Sequence, residues 1–147
     1  MKNLMIGLGL LALSVPALAQ WELDSDQSSI NFISVKNASI AETHRFNTLL
    51  GFVGSDGNAS VTIDLDSVDT LIPIRDERMR KLLFDTENYP TATVTAAVDP
   101  AILEAVADGG SVSTELPLKV SMHGVEQILK APVLVFGSGS SLHVVSS

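Results

Sequence analysis

Residues 59–66 alternate without a break: Ala59, Val61, Ile63 and Leu65 are apolar, while Ser60, Thr62, Asp64 and Asp66 are polar. A period of two puts one set on each face of a pleated strand. A chain built from such segments must bury one face of a sheet and wet the other. The pattern recurs along the chain. Ile30 and Phe32 alternate with Ser29 and Asn31, and His44, Phe46, Thr48, Leu50 and Phe52 are expected on one face opposite Arg45 and Asn47. Ala92, Val94, Ala96 and Val98 alternate with Thr91, Thr93 and Thr95. Val112, Thr114, Leu116, Leu118, Val120 and Met122 do so with Ser113, Glu115, Lys119 and Ser121. Pro117 removes a ladder donor from that last run and points to an edge or a bulge. Ser55-Asp56-Gly57-Asn58 and His123-Gly124 supply residues that tolerate positive φ, so each predicts a hairpin turn. Gly137-Ser138-Gly139-Ser140-Ser141 reads as a hairpin tip. These features predict an all-β, antiparallel barrel or sandwich, and periodicity alone does not choose between the two.

One segment breaks the alternation. From Ile74 to Leu83, Ile74, Met79, Leu82 and Leu83 share a helical stripe, with Asp76, Glu77, Arg80 and Lys81 expected in water. Acids near its start and bases near its end suit the helix dipole. Phe84, Tyr89 and Pro90 then lead into the next strand. A second helical turn is predicted from Pro100 to Ala107, with Pro100 at the first position and Asp108-Gly109-Gly110 as its stop.

The N-terminus predicts an address. Lys2, the apolar run Leu4 to Val15 and the small-x-small site Ala17-Leu18-Ala19 form a cleavable leader over residues 1–19. The domain is then residues 20–147, expected in a periplasm or outside the cell. The apolar run is short for a membrane span, and no cysteine follows it to carry a lipid anchor. The chain has no cysteine at all, so a buried core has to supply the stability. With a net charge of −8, its surface repels phosphate backbones and anionic headgroups, and nucleic acid is not an expected partner.

Motifs for chemistry are sparse. His44, His123 and His143 lack the His-x-His or His-Glu-x-x-His spacing of a metal site, and no Gly-x-Ser-x-Gly elbow is present. Asp64, Asp66 and Asp69 lack the loop glycine of an EF-hand. No catalytic residue, metal or cofactor is expected. Arg75, Arg78, Arg80 and Lys81 form the basic cluster of an acidic chain. It reads first as a helix face balanced by Asp76 and Glu77, and second as a greeting for an anionic headgroup.

Several of these pieces stand in a familiar order: Trp21-Glu22-Leu23-Asp24, Ser29-Ile30-Asn31-Phe32, the strand Ala59 to Leu65, and Arg75-Asp76-Glu77-Arg78-Met79. Phe84-Asp85 with Tyr89-Pro90 follows, and then Leu118-Lys119-Val120-Ser121-Met122-His123-Gly124-Val125. In these the chain resembles the YceI-like exported proteins, a lipocalin-like family that binds polyisoprenoids or other lipids. The resemblance implies an eight-stranded antiparallel barrel, bordered by one short helix, whose hydrophobic lumen holds a long isoprenoid or fatty-acyl chain without covalent chemistry. There are two departures. Glu42-Thr43-His44-Arg45-Phe46-Asn47 stands where the family is Gly-rich and aromatic, and the chain stops at Leu142-His143-Val144-Val145-Ser146-Ser147, where the family continues. The C-terminus is therefore expected to be incomplete.

The expected lumen residues are Ile30, Phe32, Phe46, Leu50, Phe52, Met79, Leu82, Phe84 and Val94, each of which also reads simply as core. Ala59, Ala92 and Ala96 should leave space on inward faces. The run from Arg75 to Val94 is expected to plug or border one barrel end, with Met79, Leu82 and Phe84 facing in. A lipid carrier is the expected function. An enzyme using a histidine or carboxylate site and a stress-related interaction protein without a ligand are the alternatives.

Overall fold

The computed structural model describes residues 10–14, 21–36, 40–107, 109–138 and 141–146. The cleavage site Ala17-Leu18-Ala19, Lys2, most of the apolar run, Asp108, Gly139, Ser140 and Ser147 fall outside the described residues. In chain order the strands are β1 (Leu10–Ser14), β2 (Trp21–Asp24), β3 (Ile30–Lys36), β4 (Ile40–Phe46), β5 (Leu49–Val53) and β6 (Asn58–Asp64). They continue with β7 (Val68–Asp69), β8 (Thr91–Ala97), β9 (Ser111–Met122), β10 (Val125–Ser138) and β11 (Ser141–Ser146). Two short α-helices, α1 (Pro73–Arg78) and α2 (Pro100–Val106), are found among the described residues. The strands β1-β11-β10-β9-β8-β6-β5-β2 close, in that order, into an antiparallel barrel, and β3-β4-β7 form a separate sheet.

The uninterrupted alternating runs build the barrel wall as expected. β6 pairs with β8 through Ala59↔Ala96, Val61↔Val94 and Ile63↔Ala92. Ala59, Val61 and Ile63 are buried, as are Leu116 and Leu118 on β9, Val133 and Val135 on β10, and Leu142 and Val144 on β11. Val61 and Val135 are each 1% exposed, and burial of such a side chain contributes about 1.5–3 kcal/mol. β1 comes from within the expected leader. It fills the seam between its neighbours, pairing Leu10 with Val145 on one side and Leu13 with Leu23 on the other.

Two expectations are corrected. The run drawn from His44 to Phe52 is two strands, because Asn47 and Thr48 turn away. The Asn47 N–H donates to the Ser67 carbonyl and the Thr48 N–H to the Ser67 hydroxyl oxygen, both at 3.0 Å. The interruption shifts the parity by one residue, which in a strand exchanges the two faces. Leu49 and Val53 enter the core, while Leu50 and Phe52 are 69% and 56% exposed on the outer wall. The second correction concerns the helix. α1 passes directly into a π-helical segment, Met79–Phe84, whose i→i+5 turns hold more residues than α turns. The wider turn buries Phe84 and carries Leu82 off the inner side, 82% exposed; Ile74 and Leu83 are exposed as well. Asp85, in the left-handed region at φ 50°, ends the segment.

The acidity of the chain has a local structural use. Asp24, Asp56, Asp64, Asp69 and Asp99 each accept a hydrogen bond from the backbone N–H two residues on, at 2.9–3.1 Å. These are Asx turns, in which a short carboxylate replaces a backbone acceptor where the chain changes direction. His123 and Gly124 both have positive φ, and Met122 pairs with Val125, as in a two-residue type I′ hairpin. Pro117 lies beyond the stretch Lys119–Ser121 by which β9 pairs with β8, as an edge position requires.

α2 caps one end of the barrel. Asp99 caps its N-terminus, Leu103 and Val106 are buried, and Gly137 on β10 admits the close approach. A Cβ on Gly137 would lie 2.0 Å from the Val106 carbonyl oxygen. On the outer wall Phe136 and His143, partners across β10 and β11, stack at 4.7 Å with 6° between their planes. Burial lowers the His143 pKa below its ordinary 6.5.

Two measurements follow. Gly137→Ala should lower stability in urea unfolding by about 1–3 kcal/mol, the usual range for overpacking; an unchanged midpoint would show that α2 does not seat there. The folded chain resists protonating His143 more than the unfolded chain does. Stability is therefore full above pH 6.5 and declines as pH falls through the depressed folded pKa. An NMR titration placing His143 at or above 6.5 contradicts this.

Candidate ligand-binding mouth

The barrel end away from α2 is assembled from three elements that are distant in sequence: the β3–β4 hairpin, the π segment after α1, and the tip of the β9–β10 hairpin. Phe32 is the direct cross-strand partner of His44, and Phe46 that of Ile30. Phe32 and Phe46 are therefore diagonal neighbours, with ring centroids 5.2 Å apart. The π segment brings in Phe84, edge-on to Phe32 at 6.1 Å and 85°, and tilted against Phe46 at 5.7 Å. Such offset and edge contacts are the favoured aromatic arrangements. These three rings, with Leu83, Met122 and His123, line an apolar cavity of about 290 Å³ that opens to solvent. The His123 ring packs on Tyr89 at 4.4 Å, and Tyr89 also covers Gly124, so the hairpin tip is held beside the segment that follows the π turns.

Charged residues hold this end together from outside. Arg75 donates to the Glu42 carboxylate on β4 and, at 2.6 Å, to the Thr70 carbonyl. Asp76 accepts from the Thr70 N–H at 2.7 Å and also from its hydroxyl. Thr70 is buried. Asp76, expected in water, is thus bonded to a buried partner; Lys81 is exposed and pairs with Glu77 at 2.8 Å.

Of the expected lumen residues, Phe32, Phe46 and Phe84 come together at the mouth. Ile30, Met79 and Val94 are half-buried against the core. Leu50, Phe52 and Leu82 are corrected: they are exposed, for the reasons of parity and π-helical phase given above. Leu83, Met122, His123, Glu42 and Thr70 lie outside the set that the sequence marks for the lumen. The alternation and the His123-Gly124 turn marked a hairpin, but no local signal says towards which end of a barrel it points.

Among the described residues, little space is left in the interior behind the mouth. A partly enclosed apolar cavity of about 30 Å³ is bordered by Ala59, Ala96, Leu103, Leu118, Val135 and Leu142 among others. Ala59 and Ala96 do leave space, but Leu103 from α2 and the leucines of β9 and β11 occupy most of it. Among the described residues this interior space is too small for a long chain, and the cavity at the mouth, about 290 Å³, is the roomier of the two.

His44 is 1% exposed and lies 5.1 Å from Phe32, ring to ring; His123 is at the hairpin tip and His143 on the outer wall. Among the described residues no group of three or more His, Asp or Glu side chains is arranged to hold a metal ion.

Comparison with known proteins agrees with this architecture. The family model of the YceI-like domain matches residues 21–146. A solved domain from Saccharophagus degradans, described as a polyisoprenoid binding domain implicated in plant cell wall breakdown, is 35% identical, with a TM-score of 0.73 over 88% of this chain and 70% of that one. BcnA of Burkholderia cenocepacia shares the fold at 22% identity and a TM-score of 0.62, over 79% of this chain and 72% of its own. Among curated protein sequences none matches. With a matching domain that runs from the first residue of β2 to the last of β11, the chain belongs to the YceI-like family.

Proposed function

We propose that this protein binds and carries an isoprenoid or another long-chain amphiphilic lipid, gripping the end of the apolar chain between Phe32, Phe46 and Phe84 and leaving the polar head in solvent. The observation that carries the reading is the open apolar cavity of about 290 Å³, lined by three aromatic rings, at one end of the barrel. The polyisoprenoid-binding description of the Saccharophagus degradans relative supports the ligand class. Each methylene withdrawn from water contributes about 0.8 kcal/mol, so a gripped chain end suffices for useful affinity without a polar contact. The reading includes no covalent step and no cofactor.

The same proposal places the protein in a periplasm or outside the cell, cut after Ala19. Cleavage removes β1 and frees the facing edges of β2 and β11. The mouth survives, because its lining comes from β3, β4, the π segment and the β9–β10 tip.

Protein recovered from the compartment in which it accumulates should begin at Gln20 and give a native mass above that of the chain by one lipid, which solvent extraction then releases. Met122→Glu puts a charge on an exposed part of the lining, where the fold tolerates it. It should weaken binding of a prenyl probe about tenfold or more, which is about 1.4 kcal/mol. Recovery without lipid, together with an unchanged affinity in Met122→Glu, would refute the carrier reading.

A further inference from the structure

The segment from Leu71 to Leu83 combines two surface features. It is net basic in a chain of charge −8, with Arg75, Arg78, Arg80 and Lys81 set against Asp76 and Glu77. Arg75 is tied to Glu42 and Lys81 to Glu77, whereas Arg78 and Arg80 make no ion pair among the described residues. The segment also exposes Leu71, Ile72, Ile74, Leu82 and Leu83. Ile74 and Leu82, on α1 and on the π segment, are both exposed, and so is Arg78 between them in sequence. Leu71 sits at φ 66°, an unfavourable region for leucine, and buries nothing there, being 86% exposed. Leu83, beside Leu82, forms part of the wall of the mouth.

Basic residues interleaved with exposed large apolar ones are what an interfacial helix presents to an anionic bilayer. We propose that this segment docks the mouth onto an anionic phospholipid bilayer, so that a lipid passes between bilayer and mouth without crossing water. The proposal rests on the carrier reading for its purpose, though its surface chemistry stands apart from it. The acidic remainder of the surface is repelled by the same bilayer, which turns the basic segment towards it.

The test is flotation of the full chain with vesicles of phosphatidylcholine alone and of phosphatidylcholine with about one-third phosphatidylglycerol. Retention should be about fivefold or more stronger on the anionic vesicles and should fall as salt rises from about 0.05 to about 0.5 M. The double variant Arg78→Glu, Arg80→Glu should lose about fivefold or more of that retention. Ile74→Ser with Leu82→Ser should lose as much while keeping the thermal unfolding of the parent, since both residues are exposed. Equal retention on the two vesicle types, no retention on either, or an Arg78→Glu, Arg80→Glu variant that floats like the parent would overturn the proposal. A protein that carries lipid yet does not float refutes docking alone. One that floats but carries no lipid supports docking and refutes the carrier reading.

Discussion

The link from Arg75 to Glu42, 33 residues apart, joins the helical segment to the β3–β4 hairpin, and the open end of the barrel depends on it. A partly exposed ion pair adds little stability by itself. Its effect here is geometric, because the same guanidinium also holds the Thr70 carbonyl while Asp76 engages the N–H and hydroxyl of Thr70. With α1 fixed at its start, the π turns that follow deliver Phe84 between Phe32 and Phe46 rather than into solvent. The arginine and aspartate of the family-like run are therefore the fastening of the mouth, and its aromatic residues are the lining.

A barrel of this strand number is wide enough either to be filled by side chains or to hold a slim ligand. Among the described residues this one takes the first course towards the α2 end, where Leu103 enters and the walls supply valine and leucine. At the other end, where elements distant in sequence meet, the cavity between Phe32, Phe46 and Phe84 opens to solvent. The division of labour is physically economical. A packed interior stabilises a chain without disulfides, and an opening lined by Phe, Leu and Met stays apolar enough to take up a hydrocarbon end.

Much of the fold was legible because unbroken alternation carries its own register. The runs Ala59 to Ile63, Ala92 to Val98 and Val112 to Met122 needed no tertiary information, and His44 and Phe46 were rightly placed on one face. Failures occurred where a local interruption changed phase. At Asn47 and Thr48 both the break and its partner, Ser67, depend on a contact 19 residues away, so Leu50 and Phe52 were assigned to the wrong face. At Leu82 the stripe was drawn with α-helical spacing, and the π turns have another. The mouth was only half legible for a related reason: Phe32, Phe46 and Phe84 stood out as large apolar residues at inward positions, but Met122 and His123 join them only through the way a long hairpin is aimed.

The most direct measurement is of intermolecular NOEs between a bound prenyl chain and the methyl groups of the full chain labelled at Met, Leu and Val. Contacts to the methyls of Met122 and Leu83, with none to Val135, are the result expected if the chain end is gripped at the mouth. Contacts to Val61, Val135 and Leu118 without Met122 would place the lipid in the lumen and contradict it.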